Sequence, residues 1–305
     1  MPNKAKVALV TCREFPSLDG YDAVLVPRLR AMGLDVDAAI WDDAGVDWDS
    51  YDLVVVRSTW DYASRRDEFL AWARLVPRLA NSAKVLEWNT DKHYLKDLEQ
   101  RGVAVVPTTW LEPSMGLDAR GLHTRMPALG DFVLKPAVGA GSVGAGRYSA
   151  NDSQLRGRAI AYALRLLAGG ATVMLQRYLP AVDTVGEVSM VYLDGRYAYA
   201  VRKAAMLTGP EQGGERRYQS EQLEGGYTPT AEELALGDAA MAGAMEALGN
   251  PLRPFLYARA DVVPAADGSP ALLELELTEP ALFPELAAGG LDMVCRAIAG
   301  RLTPV

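Results

Sequence analysis

The first third of the chain alternates between two periodicities, and that alternation constrains the fold more than any other feature. "KVALVT", "DVDAAIW" and "YDLVVVRS" are apolar runs of strand length, and between the first two lies "YDAVLVPRLRAMG", apolar at helical spacing and closed by Gly33. Strand, helix, strand in succession is a βαβ unit, so the N-terminal part is expected to be a parallel, doubly wound sheet. A further helix is expected through "RRDEFLAWARLVPRLA", then a strand at "KVLEW", a helix at "TDKHYLKDLEQRG" with Thr90 as its N-cap, and a strand at "VAVVPTTWL".

The pattern changes after a connector at about residues 112–130. Strand "DFVLKP", a glycine-rich loop, helix "NDSQLRGRAIAYALRLLA" and strand "TVMLQRYL" make a small α+β unit. From Gly186, "GEVSMVYLDGRYAYAVRKA" is a hairpin turning at Asp194-Gly195. The polar "LTGPEQGGERRYQSEQLEGGY" that follows is long enough to serve as a lid or substrate loop. A helix from about Thr230 to Leu248, strand "PFLYARADVVP", a turn at Asp267-Gly268, strand "ALLELELTEP" and a C-terminal helix complete the chain. A chain of 305 residues exceeds what one core usually organises, so two or three subdomains are expected.

A net charge of −8 speaks against nucleic acid as partner, because phosphate backbones are bound by clustered Lys and Arg. No apolar run reaches the roughly 18 residues of a membrane span, and the first residues lack a signal-like apolar core, so a cytoplasmic location without membrane contact is expected. Cys12 and Cys295 have no thiol or histidine at ligand spacing and are expected to be buried thiols. These exclusions favour small-molecule chemistry; the sequence leaves open whether the chain forms a homo-oligomer.

Two constellations could carry that chemistry. In "LKPAVGAGSVGAG", Leu134 to Gly146, glycines let backbone amides approach an anion while Lys135 adds a point charge. Gly139, Gly141 and Gly144 match G-x-G-x-x-G, but no helix opens at the third glycine, which excludes a dinucleotide fingerprint. No Lys-Ser or Lys-Thr follows either, which excludes a P-loop. The loop lies between two strands, as a hinged flap over a triphosphate would. In "ALLELELTEP", Glu274 and Glu276 point to one face at roughly 6 to 7 Å with nothing basic between them. Either the strand is half buried with its glutamates in water, or a divalent cation sits between them. Asp261, brought beside them by hairpin pairing, makes three converging acids and favours Mg²⁺.

Lys92 in "TDKHYL", Lys135 with its glycine loop, "MLQRYLP", and then Asp261, Glu274 and Glu276 follow one another in an order that resembles the ATP-grasp superfamily, most nearly its glutathione synthetase-like branch. The resemblance implies an ATP-grasp fold, mixed α/β and α+β: an N-terminal parallel domain over 1–89, then a central subdomain over 90–178 and a C-terminal one over 179–305 that sandwich the nucleotide. It implies that Lys92 and Lys135 bind phosphates of ATP and that Gly141, Ser142, Val143 and Gly144 cover them. It also implies that Gln176, Arg177, Tyr178 and Leu179 form the adenine hinge, that Glu187 holds the ribose, and that Asp261, Glu274 and Glu276 bind Mg²⁺. Many relatives carry asparagine where Glu276 stands.

"RSTWDY" and "LELELTEPALF", with Glu279 beside the metal pair, resemble bacterial ATP-grasp ligases of the group that includes cycloserine synthetase. Arg57, Ser58, Thr59, Asp61 and Tyr62 lie just past a parallel strand's carboxyl end, where open α/β sheets place ligands, and are the expected substrate residues. Arg202 and Arg217 are the expected catalytic cations, with Lys203 and Arg216 as further candidates. The function expected is an ATP- and Mg²⁺-dependent ligase that activates a small amino-acid-like carboxylate as an acyl phosphate for attack by an amine, within one molecule or between two. A phosphotransferase and a silent ATP-binding regulatory module are the alternatives.

Overall fold

The structure, a computed structural model, describes residues 4–211 and 223–302. In chain order the elements are β1 (Lys6–Thr11), α1 (Gly20–Ala23), α2 (Leu25–Ala31), β2 (Asp35–Ile40), β3 (Leu53–Ser58), α3 (Arg66–Leu75), α4 (Ala83–Asn89) and α5 (Tyr94–Gln100). They continue through β4 (Thr108–Leu111), α6 (Ala119–Arg125), β5 (Asp131–Pro136), β6 (Gly146–Ser149), α7 (Ser153–Ala168), β7 (Val173–Arg177), α8 (Val182–Val185), β8 (Glu187–Leu193) and β9 (Arg196–Lys203). The last are β10 (Leu223–Tyr227), α9 (Ala231–Ala247), β11 (Tyr257–Pro264), β12 (Pro270–Glu276) and α10 (Gly290–Gly300).

These strands form three sheets. β2-β1-β3 is parallel throughout, as the βαβ reading requires. β4-β7-β5-β6 and β10-β9-β8-β11-β12 are antiparallel. The four-stranded sheet has its own apolar core, Leu111, Leu122, Phe132, Leu134, Tyr148 and Leu175 among others, covered by α6 and α7. The parallel and five-stranded sheets share theirs: Val7, Leu9 and Val55 pack in one cluster with Val191, Leu256 and Ile298.

Several local expectations are corrected. "KVLEW" is helical, not extended: Val85, Leu86 and Asn89 are buried at helical spacing, and Thr90 is the C-cap of α4 rather than the N-cap of α5. The helix expected through Ala80 stops at Leu75, because Val76 precedes Pro77 and is forced extended. The expected helix 21–33 breaks at Val24 into α1 and α2, and the connector holds α6, capped by Asp118 accepting from Gly121 N. Of "VAVVPTTWL" only Thr108–Leu111 is strand. The polar loop contributes β10, which pairs with β9; its residues 212–222 lie outside the described residues.

Candidate active site

A cleft with about 200 Å³ of water-accessible space opens between the two antiparallel sheets. The four-stranded sheet contributes Lys135, the 139–145 loop and Gln176 to Leu179. The five-stranded sheet contributes Glu187, Lys203, Arg259, Asp261, Glu274 and Glu276, and the N-terminal part contributes Tyr21, Trp60 and Tyr62.

The glycine loop is pinned at both ends. Lys92 Nζ donates to the Gly139 carbonyl at 2.8 Å, and the Tyr162 hydroxyl on α7 donates to the Gly144 carbonyl at 2.5 Å. Gly144 has φ +76°, and a Cβ there would meet the Tyr162 hydroxyl at 2.9 Å and the Pro136 ring at 3.2 Å, so the position accepts only glycine. Gln176 Nε2 donates to Thr108 Oγ1 across the β4–β7 pair, the Tyr178 amide donates to the Asp131 carbonyl, and Arg147 lies over the Tyr178 ring. The segment expected to be the adenine hinge is thus braced from β4, β5 and β6.

The glutamates that had no basic neighbour in their own strand find cations from elsewhere. Lys135 Nζ donates to Glu274 Oε1 at 2.7 Å, and Lys92 lies at 4.0 Å from the same oxygen. Burial works upward on Glu274, but those two ammoniums outweigh it and hold the carboxyl at about 2. Glu276 accepts from Arg259 at 2.6 Å, and the same guanidinium grips both oxygens of Asp261 at 2.8 Å. Burial raises Asp261 and Arg259 with Lys203 more than reverses it, whereas Glu276 stays raised, chiefly by burial. Glu187 is ion-paired with Lys203, yet burial still carries it up to about 7.

The outer edge of β12 is closed by a short backbone pairing at Leu272, which donates to the Ala104 carbonyl and accepts from the Val106 amide, and beyond it by side chains. The Leu275 amide donates to the Tyr94 hydroxyl, and Asn89 exchanges hydrogen bonds with the Leu275 carbonyl and the Leu277 amide. The edge that would otherwise present open backbone groups is thereby closed, and the acids are fixed in register.

Beyond β12 the chain forms a strap. Its six consecutive carbonyls from Leu277 to Leu282 each accept from a side chain: Asn81, the Tyr257 hydroxyl, Trp60, Arg57, Arg259 and the Tyr199 hydroxyl in turn. Arg57 therefore does not face the cleft. It is 1% exposed, paired with Asp22 at 3.0 Å and bonded to the Pro280 carbonyl. Ser58 is buried too, donating to Asp22 at 2.7 Å, as is Thr59. Asp61 accepts from Trp41 Nε1 at 3.0 Å. Of "RSTWDY", Trp60 and Tyr62 line the cleft; the expected substrate residues Arg57, Ser58, Thr59 and Asp61 do not.

Arg202 also departs from expectation. Alternation along β9 turns Lys203 into the cleft and Arg202 out of it, where it lies 3.7 Å from Glu224 and over the Tyr227 ring. Arg216 and Arg217 lie outside the described residues. Arg259 was missed, although its place two residues before Asp261 on one strand puts both on one face.

Among the described residues no three His, Cys, Asp or Glu side chains are arranged to enclose a metal by themselves. The donor set nevertheless suits Mg²⁺, which keeps waters and shares phosphate oxygens with a few carboxylates. Asp261, Glu274 and Glu276 are hard oxygen donors whose present partners, Lys135, Lys203 and Arg259, are cations that phosphates would also engage. Among the described residues no helix is long and apolar enough to cross a membrane.

A model of the N-terminal domain of D-cycloserine synthetase DcsG matches residues 7–81. Cycloserine biosynthesis protein DcsG of Streptomyces lavendulae is 35% identical over 305 residues, covering 98% of this chain and 99% of that protein. The crystal structure of D-cycloserine synthetase DcsG aligns with TM-score 0.86 and 34% identity over 98% of this chain and 100% of the other. A RimK-domain ATP-grasp protein from Sphaerobacter thermophilus, at 18% identity over 98% of this chain and 100% of its own, shares the fold with TM-score 0.66.

Proposed function

The chain belongs to the ATP-grasp family of D-cycloserine synthetase, and from that premise we propose that it closes a ring in one small amino-acid-like substrate, drawing on ATP and Mg²⁺. It is an enzyme, an ATP-dependent ligase that forms a carbon–nitrogen bond with release of ADP and phosphate. The observation that carries the finer reading is the grouping of Lys92, Lys135, Lys203 and Arg259 with Asp261, Glu274 and Glu276 in one cleft, with the aromatic side chains of Tyr21, Trp60, Tyr62 and Phe283 lining it too.

Lys92, Lys135 and the 141–144 backbone hold the phosphates, with Gln176 to Leu179 at the base and Glu187 at the ribose. Asp261, Glu274 and Glu276 would hold Mg²⁺, which supplies charge neutralisation on the transferred group. Arg259 and Lys203 face the transferred phosphoryl and the substrate carboxylate, where fixed positive charge matters most. The carboxylate takes the γ-phosphoryl group and releases ADP. A nitrogen of the same molecule attacks the acyl carbon, loses its proton and expels phosphate. Tethering raises the nitrogen's effective molarity, so one compact pocket suffices. The division of labour follows the three sheets: N-terminal wall over 1–89, nucleotide cover over 90–178, chemistry over 179–305.

The purified enzyme is to be given ATP, Mg²⁺ and O-ureidoserine alone, then single amino acids, then amino-acid pairs. ADP release with O-ureidoserine alone, and a product lighter by the elements of ring closure, is the expected result. ADP release only with two different amino acids would establish an intermolecular ligase instead.

A further inference from the structure

Five carboxylates line the cleft, and four already have cations: Glu187 has Lys203, Asp261 has Arg259 and Lys203, Glu274 has Lys135 and Lys92, and Glu276 has Arg259. Glu279 is the exception among the described residues. It is 6% exposed, forms no ion pair with a described residue, and has Tyr62 as a neighbour lining the same cleft. The nearest cations are committed elsewhere, Lys92 to the Gly139 carbonyl and Arg259 to Asp261 and Glu276.

Its surroundings are aromatic. Tyr21, Trp60, Tyr62 and Phe283 line the same cleft, with Tyr21 edge-on to Phe283 and Trp60 donating to the carbonyl of Glu279 itself. A buried carboxylate without a cation is costly, and aromatic faces attract cations as well as excluding water. The strap that carries Glu279 is fixed on both sides of it, by Trp60 at its own carbonyl, by Arg57 at Pro280 and by the Tyr257 hydroxyl at Thr278. The side chain is therefore presented in advance and does not have to be ordered by the ligand.

We infer that Glu279, with Tyr62 beside it, is the seat of a cationic nitrogen on the substrate, its α-ammonium group, and so decides between amino acids and their amine-free analogues. The inference rests on the proposed amino-acid-like substrate and adds the group that recognises it. The ammonium supplies the positive charge that each other carboxylate in the cleft already has. The phosphate-side lysines then remain free for the nucleotide, and the carboxylate and ammonium, carried by one carbon of the substrate, are read by neighbouring groups: Arg259, which lies over the Phe283 ring, and Glu279.

The test compares O-ureidoserine with 3-(ureidooxy)propanoate, the same skeleton without the amine. Both are titrated calorimetrically into wild-type enzyme and Glu279→Gln, each loaded with Mg²⁺ and a non-hydrolysable ATP analogue. Glutamine keeps the shape but cannot take the negative charge that Glu279 acquires on giving up its proton to pair with the ammonium. Wild type should prefer the amine by about 10- to 100-fold, the range of a charge-assisted hydrogen bond, and the variant should bind both alike with ATP-analogue affinity unchanged. A variant that still prefers the amine, or a wild type that binds neither compound or both equally, would overturn the assignment. Because binding is read without turnover, a failure of ring closure is seen separately, as absent ADP release by wild type. Loss of turnover in Glu279→Gln with the amine preference intact would also overturn it, and would make Glu279 a proton carrier.

Discussion

The Arg57–Asp22 pair offers a prediction that separates a structural arginine from a substrate-binding one. Both groups are essentially sealed, at 1% and 2% side-chain exposure. Asp22→Ala would leave the guanidinium buried with the Pro280 carbonyl and the Tyr257 ring as partners, and would remove the acceptor of the Ser58 hydroxyl. Breaking a buried pair from one side costs about 3–5 kcal/mol. An unfolding entropy of about 2.1 cal/mol/K per residue over 305 residues amounts to about 0.64 kcal/mol/K, so the melting temperature should fall by about 5–8 °C. Differential scanning calorimetry of the ligand-free protein measures it. The double variant Asp22→Leu with Arg57→Met removes both charges and should recover most of the loss. Below its melting temperature, Asp22→Ala should bind ATP as wild type does, because neither residue lines the cleft. A single variant melting within about 2 °C of wild type, where surface substitutions fall, would refute the reasoning, as would a double variant no more stable than the single.

Glu274→Gln and Glu276→Gln should each lower turnover on the order of 100-fold in protein that is still folded at the assay temperature, with added Mg²⁺ restoring part of it; unchanged ADP release would return both to the role of a solvated face. Lys135→Ala and Lys203→Met should each weaken ATP binding by about 10- to 100-fold, whereas Arg202→Met should change it less than about threefold, as isothermal titration would show. Equal losses at Lys203 and Arg202 would contradict the alternation along β9. Burial, with Glu276 nearby, raises Glu279 to about 8, so the native protein holds a proton that the unfolded chain gives up near pH 4.5. That stabilisation is complete below about pH 4.5 and is lost as pH rises through about 8. Asp19, raised to about 6, and Glu187, at about 7, act in the same direction. Glu274, held at about 2, acts the opposite way and only below about pH 4.5. The ligand-free melting temperature should therefore decline between pH 5 and 8, and Glu279→Gln should flatten part of the decline; an identical slope in the variant would refute it.

Much of this was legible because local pattern and global fold agree. Period-two runs and helical runs placed the parallel sheet, and the Asp194-Gly195 and Asp267-Gly268 turns placed both hairpins of the five-stranded sheet. Where the reading failed, the deciding partner was distant in sequence. "KVLEW" is too short for period to distinguish strand from helix, and its helical state follows from Asn89 reaching β12, 186 and 188 residues away. Arg57 stands where an α/β sheet usually meets its ligand, but Asp22 and the Pro280 carbonyl claim it, the latter 223 residues on. Glu274 and Glu276 looked unbalanced only within their own strand: the lysine that answers the first lies 139 residues upstream, and the arginine that answers the second is on the neighbouring strand. The expected site residues that do line the cleft came as short motifs, the glycine loop above all.

The strap from Leu277 to Leu282 separates two properties that a binding loop usually has to trade against each other. Its six donors grip carbonyls, which every residue type possesses, and leave the side chains of Glu279 and Ala281 outside the bargain. Exchanging those two side chains alters what the cleft accepts without releasing the main chain that aims them. Such a segment can be rewritten for a new ligand one position at a time, with each intermediate still folded, and a directed library confined to 279 and 281 starts from a backbone that is already in place.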